Sequence, residues 1–253
     1  MATDGPLLIL TNDDGIDAPG LAALRQAATG LGRLAVIAPV GPRSGCGHAV
    51  TTHQPVRVIS HAGDAWAVDG TPADCVRLAL DRLAPSAAWV LSGVNAGGNL
   101  GLDLLHSGTA AAAREAALRG VPAVAVSHYI RKGLPLDWDR AATWTRRVLA
   151  ALMAKGPAHG HFWNVNLPHL SADQDDPETL RCGIDPSPLP SRYDWSGDLA
   201  TYTGVYSERT RLDGLDVDVC FGGRIAVSLV PSAGIPWPAP TNPRPVDKPF
   251  QDR

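Results

Sequence analysis

The sequence predicts an α/β fold built on a mostly parallel sheet. Short apolar runs alternate with amphipathic or alanine-rich helical patterns through the first half of the chain, the texture of successive strand–helix–strand units. Several of those runs end directly in Gly-, Asn- and Asp-rich turns that carry helix-start residues. At 253 residues, with 45% hydrophobic and 19% charged residues, the chain is long and apolar enough to bury a sizeable core as one domain.

The first strand spans residues 7–10 (Leu-Leu-Ile-Leu) and runs into Thr11-Asn12-Asp13-Asp14-Gly15. Asp17 as N-cap and Pro19 near the first helical position open a helix read over 21–31. Strands follow at 34–38, 56–59 and 66–68, and Thr71-Pro72 caps and starts a helix over 72–83. A strand at 89–92 precedes an alanine-rich helix at 110–119, opened by Ser107-Gly108-Thr109 and stopped by Gly120 and Pro122. A strand at 123–127, a helix at 139–154 and a strand at 162–167 complete the regular part. Beyond it, 171–178 is a polar, acidic loop, and Pro186, Pro188 and Pro190 interrupt regular structure. Residues 217–221 and 224–230, joined by Gly222-Gly223, read as a β-hairpin. Seven prolines from Pro231 onward exclude a helix, so 231–253 reads as an extended arm or a disordered end.

Charge and cysteine usage exclude several functions. The net charge is -3 and no basic stripe is present, which argues against a groove for a nucleic-acid polymer. A small anion remains compatible, because a few backbone amides can hold one. Cys46, Cys75, Cys182 and Cys220 form no C-x-x-C pair, so neither a disulfide framework nor a zinc site is expected. Cys46 lies in a glycine-rich loop near His48, where a reactive thiol is conceivable. The first ten residues lack a basic stretch, and no apolar run approaches a membrane span, so the expectation is a reduced, cytoplasmic, soluble protein.

Four polar clusters carry the chemistry. Asp13 and Asp14 are adjacent carboxylates at a strand end, the edge where open α/β sheets bind ligands. Such a pair is tolerable when solvated, when it shares a proton, or when a cation sits between the two. The bland alternative is a polar turn closed by Gly15. The second cluster, residues 39–47, is not a Walker A loop, since no Gly-Lys-Ser/Thr ends it, and it offers the Ser44 hydroxyl. The third, Val68-Asp69-Gly70-Thr71, has Ala67 where an Asp-x-Asp phosphatase motif needs its first aspartate, so it reads as a capped strand-to-helix turn. The fourth, residues 92–101, lacks the Gly-x-Gly-x-x-Gly spacing but presents Asn95 and Asn99. A few residues on, Ser107-Gly108-Thr109 supplies hydroxyls and amides at a helix start, a ready anion site. Each feature alone is weak, yet the aspartate pair, the Ser44 loop and the Asn95 loop all follow strands, at what should be one sheet edge.

Taken together, Leu10-Thr-Asn-Asp-Asp-Gly15, Ala38-Pro39 with Arg43-Ser44-Gly45, Gly70-Thr-Pro-Ala-Asp-Cys-Val76, Ser92-Gly-Val-Asn95 and His106-Ser-Gly-Thr109 resemble, in order, the survival-protein-E (SurE) family of metal-dependent nucleotidases. Asn164-Val-Asn-Leu-Pro168 and Tyr193-Asp-Trp195 extend the resemblance, which is strong over 7–126 and looser to about 230. It departs at the late strand, where this chain reads Arg224-Ile-Ala-Val-Ser-Leu-Val230 in place of a Ser-Ile-Thr-Pro-type segment. The resemblance implies a Rossmann-like three-layer α/β/α core with a mostly parallel sheet and a β-rich C-terminal extension used for oligomerisation. It places that extension at 182–223 of a single domain over 1–253, ahead of the tail at 231–253.

The resemblance further implies hydrolysis of nucleoside 5′- or 3′-monophosphates with one divalent cation per subunit, magnesium or manganese. The ligands would be Asp13, Asp14, Ser44 and Asn95, with Asn99, Ser107, Gly108 and Thr109 around the phosphate. All are oxygen donors or amides, a set that suits a hard cation rather than zinc. Asp13 or Asp14 would take a proton from attacking water, or one of them would attack phosphorus directly; His106 is a candidate proton donor to the leaving oxygen or a structural histidine. Two other readings fit the same residues. One is a phosphatase or exopolyphosphatase for other small phosphorylated substrates, and the other is a non-catalytic nucleotide-binding assembly protein. Trp195, Tyr202 and Tyr206 in the loop-rich 182–223 segment suggest self-association to a dimer or tetramer, while the active site lies on the other half of the chain.

Overall fold

A computed structural model describes residues 5–156 and 159–233. In chain order its elements are β1 (Leu7–Thr11), α1 (Pro19–Ala28), β2 (Arg33–Pro39), β3 (Val58–His61), β4 (Ala65–Val68), α2 (Pro72–Leu78), β5 (Ala87–Ala96), α3 (Gly108–Leu118), β6 (Ala123–His128), α4 (Trp138–Lys155), β7 (His161–Leu167), β8 (Thr179–Arg181), β9 (Tyr193–Ser196), β10 (Leu199–Tyr202), α5 (Asp216–Phe221) and β11 (Ile225–Pro231). Nine strands form one sheet in the order β3-β4-β2-β1-β5-β6-β7-β11-β8. Every pairing from β4 to β7 is parallel; β3 runs antiparallel to β4 and β11 antiparallel to β7.

Period-two alternation sorts the strand side chains to two faces. Leu8, Leu10, Leu91, Val124 and Val126 pack with Leu21 and Leu24 of α1 and with Trp144 and Leu149 of α4. Ile9, Ile37, Val90, Ala123 and Ala125 face the other way, against Val76 of α2 and Ala113 and Ala116 of α3. The result is the three-layer α/β/α arrangement with a mostly parallel sheet. Both faces of the central strands are covered, which is why those strands read as continuous apolar runs. Burying each of the larger aliphatic side chains is worth about 1.5–3 kcal/mol. A smaller cluster of Leu100, Tyr129, Val217, Val219, Cys220 and Ala226 fastens α5 to the far end of the sheet, with Tyr129 stacked on Phe221 at 4.5 Å.

Several expectations are corrected. The hairpin over 217–230 is absent; residues 216–221 are helical, and β11 pairs with β7 and β8 instead. The buried positions there, Asp216, Val217, Val219 and Cys220, have helical rather than alternating spacing. Asp216 pins the segment by accepting the amides of Gly101, Asp185 and Val217. Asp17 does not cap α1: Ala18 holds the N-cap position with no side-chain bond, and Pro19 is the first helical residue. The helix expected over 72–83 gives way after Leu78 to a single π turn. Thr71 caps α2 as expected, in a reciprocal capping box with Asp74. Of the tail at 231–253, Pro231 closes β11 and everything from residue 234 lies outside the described residues.

The segment at 182–223 carries a separate two-stranded ribbon, β9–β10, turned through Gly197-Asp198 with Gly197 at φ +64°. Trp195 is 73% exposed and Leu199 69% on this ribbon. Among the described residues no helix is long and apolar enough to cross a membrane.

Candidate phosphate-ester site

Strands β2, β1 and β5 are neighbours and parallel, so the turns leaving their C-terminal ends converge. They line one cleft of about 320 Å³ that brings together Asp13, Asp14, Ser44, Asn95, Asn99 and Ser107. Six of the eight residues singled out in the sequence therefore share one surface. Gly108 and Thr109 stand behind it, within the first turn of α3.

Asp13 is buried, and its carboxylate accepts a short hydrogen bond from the Thr109 hydroxyl. Burial pushes its pKa above the usual aspartate range; the Thr109 bond opposes that and the neighbouring Asp14 adds to it. Gly108 makes the close approach of α3 feasible, since a Cβ there would sit 2.8 Å from the Asp13 Cβ. The turn itself is clamped: Asn12 donates to the Gly15 carbonyl at 2.8 Å and accepts its amide at 3.2 Å, with Gly15 at φ +106°. Asp14 is half-buried and accepts the Ala96 amide at 3.2 Å.

The loop after β2 is tied to the same point. The Arg43 amide donates to the Asp13 carbonyl at 2.7 Å, and the Arg43 guanidinium pairs with Asp69 at 2.6 Å. Ser44 next to it is exposed on the cleft wall. Asn95 donates to the Gly97 carbonyl at 2.8 Å, leaving its amide oxygen without a partner among the described residues. Asn99 is buried in a network: its backbone amide donates to the Asn166 side-chain oxygen at 2.8 Å and its side chain donates to Ser127 at 2.7 Å. Ser107 caps α3 by accepting the Ala110 amide at 2.9 Å.

Two sequence readings change here. The hydroxyl of Thr109 is committed to Asp13, so it supports a carboxylate rather than facing the cleft. The 182–223 segment also enters the site, because Leu189 and Tyr206 line the cleft. Tyr206 is half-buried there. Its phenol donates to Asp103 at 2.6 Å, and the buried Arg209 donates to the same oxygen at 2.8 Å. Asp103 and Tyr206 lie 103 positions apart, and no local pattern in the sequence places them together.

His106 sits exposed on the cleft wall. Burial, then the charge of Asp13, pushes the Cys46 thiol up, which disfavours the thiolate a nucleophile needs. His48 is engaged with Glu115 at 2.8 Å. No cluster of three or more His, Cys, Asp or Glu is present among the described residues. Any cation here would rest on Asp13, Asp14 and neutral oxygens. The donor set fits a hard dication: two adjacent carboxylates, one of them buried at an energetic cost, beside a free amide oxygen and a hydroxyl.

A family profile described as survival protein SurE matches residues 8–183. A protein of Nostoc sp. (strain PCC 7120), named as a candidate 5′-nucleotidase, is 49% identical over 87% of this chain and 97% of its own length. A protein of Heliobacterium modesticaldum named 5′-nucleotidase SurE is 41% identical over 80% of this chain and 71% of its own. The crystal structure of the SurE protein from Aquifex aeolicus superposes with a TM-score of 0.82 at 29% identity, covering 92% of this chain and 96% of that one. With the profile matching residues 8–183 and a relative 49% identical over 87% of this chain, this chain belongs to the survival protein SurE family.

Proposed function

We propose that this protein is a divalent-cation-dependent 5′-nucleotidase that hydrolyses nucleoside 5′-monophosphates to nucleoside and phosphate. One observation carries the reading: a buried carboxylate, Asp13, lies beside a second, Asp14, on an open cleft, and neither makes an ion pair with a protein cation among the described residues. The charge asks for a cation from outside, and the names of the relatives supply the reaction class. Asp13, Asp14, Ser44 and Asn95 would hold that cation, with water completing its shell. A bound cation would supply Lewis acidity toward the phosphoryl group and toward water.

The chain's own residues then divide the work. The hydroxyl of Thr109 orients Asp13 and opposes the burial that pushes its pKa up. Ser107 and Asn99, in the lining of the same cleft, take the phosphoryl oxygens. Asp14, the more exposed carboxylate, accepts the proton of the attacking water, and His106 returns one to the leaving 5′-oxygen. The 182–223 segment supports self-association through its exposed ribbon, on top of its contribution to the cleft wall.

The test is phosphate release from AMP with magnesium or manganese, with and without excess chelator, beside Asp14→Asn. Loss of turnover by orders of magnitude in chelator and in the variant is expected. Full activity in chelator refutes cation dependence, and no release from AMP with either ion refutes the hydrolase.

A further inference from the structure

A cavity of about 410 Å³ lies between the C-terminal half of α4 and the sheet margin at β7, β11 and β8. It shares no residue with the phosphate-ester cleft, and β7 and β11 stand three and four strands from β1. Alternate residues of β11 serve opposite faces: Ala226 packs with α5, and Val227 joins the cluster that holds Val148 and Leu152 of α4. Trp163 and Val227 make the apolar floor beneath those two α4 side chains. The polar residues of the lining are Thr179 and three cations, Arg147, Lys155 and Arg181, and no Asp or Glu contributes. Arg147 is spent on Asp176 at 3.6 Å and on the Pro177 carbonyl at 2.8 Å. Lys155 and Arg181 are exposed and make no ion pair among the described residues. The Arg181 guanidinium lies over the Trp163 ring, 5.5 Å from its centroid, which holds that charge at the cavity wall.

We propose that this cavity binds a small organic carboxylate, with its apolar body on the floor of Trp163 and Val227 and its anionic end between Arg181 and Lys155. Small-molecule sites commonly enclose about 300–1,000 Å³ and are apolar with a few placed polar groups, and this lining has that make-up. A planar guanidinium fork matches a carboxylate through two parallel hydrogen bonds, and the stack on Trp163 already restricts the Arg181 side chain. A neutral apolar occupant would leave both free cations unanswered. A second copy of this chain fits worse, because a two-fold contact would press a cationic patch against its own copy. The site does not depend on the nucleotidase reading, since the two clefts have no residue in common.

The test is equilibrium dialysis of the full chain with 2-naphthoate as probe and 2-naphthylmethanol as its neutral counterpart. Magnesium and excess inorganic phosphate are present throughout, so that the phosphate-ester cleft is not what the probe reports. Naphthoate should bind about 10-fold more tightly than the alcohol, the worth of one charge-assisted hydrogen bond. Arg181→Ala and Lys155→Ala, both at exposed positions, should weaken naphthoate by up to about 10-fold and leave the alcohol unchanged. Ala151→Trp, on the exposed side of α4, fills the cavity and should abolish binding of both probes. Far-UV circular dichroism and melting confirm that the three variants fold. Naphthoate bound no better than the alcohol, or equally by wild type and all three variants, overturns the proposal, as does no binding at millimolar naphthoate. An oligomer that loses mass in Ala151→Trp, with no naphthoate bound by wild type, overturns it in favour of a contact between copies. Naphthoate binding with this dependence in a protein that releases no phosphate from AMP supports the cavity and refutes the hydrolase reading instead.

Discussion

Replacing Arg209 tests how the late segment is fastened to the site. Its side chain is 0% exposed, and it donates at 2.8 Å to an Asp103 carboxylate that is itself only 13% exposed. The same Asp103 oxygen also receives the Tyr206 phenol at 2.6 Å and the Leu100 amide at 3.1 Å. Arg209→Met keeps most of the volume, removes the cation and leaves a partly buried carboxylate with two neutral donors. Breaking a buried pair from one side costs about 3–5 kcal/mol. The remaining donors place this case near the lower bound, about 3 kcal/mol, or a fall in Tm of roughly 6–12 °C for a chain of this size. Two guanidinium nitrogens of Arg209 are buried without partners among the described residues, so the native arrangement already carries a polar cost that the methionine removes. The asymmetry is checked by Asp103→Asn in the Arg209→Met background, which should recover part of the loss by neutralising the orphaned charge. Thermal and urea unfolding followed by circular dichroism give the values, and AMP turnover should fall in parallel because Asp103 and Tyr206 line the cleft. A destabilisation under about 1 kcal/mol, the worth of an exposed pair, would refute the claim that this contact anchors the segment.

Other outcomes follow from the same structure. Thr109→Val removes the donor to buried Asp13 and should weaken the cation dependence of activity by about 10–100-fold, with a smaller effect on inorganic phosphate affinity; titrations of both ligands decide which is larger. Burial depresses the pKa of His128 to about 4 from an ordinary 6.5. Its neutral form is therefore favoured by folding: the stability it contributes is complete above pH 6.5 and is lost as pH falls towards about 4, amounting to roughly 3 kcal/mol at the low end. His128→Gln should flatten the stability–pH curve in that window, and an unchanged slope between pH 6.5 and 4 contradicts the assignment. For assembly, light scattering after size exclusion should give a dimer or larger species, reduced by Trp195→Asp on the exposed ribbon. A monomer mass for the intact chain at micromolar concentration rejects self-association.

The residues that make the core legible are those whose environment is local. Leu7–Thr11 and Ala123–His128 read as strands because both faces are covered and every position is apolar or nearly so. Thr71 and Ser107 announce helix starts because a cap bonds within its own first turn, three residues away. The Asp13–Asp14 pair was conspicuous for a similar reason, since two adjacent carboxylates at a strand end need a cation, a proton or water whatever the rest of the fold does. Residues 216–221 misled because six positions satisfy both a period of two and a period near 3.6. Only the bonds from Gly101 and Asp185 to the Asp216 side chain, and the partners waiting for β11, chose the helix.

The sequence by itself determined the layered α/β core, the sheet edge that carries the polar turns and the carboxylate pair, because those depend on burial pattern and on bonds spanning a few residues. The tertiary structure alone decided that the Thr109 hydroxyl serves Asp13, that Tyr206 and Leu189 wall the cleft, and that Trp138 and Asp17 line a second one. Each of those is a meeting of residues from about 90 to 190 positions apart in the chain, set by sheet order and helix packing, which local propensity does not encode.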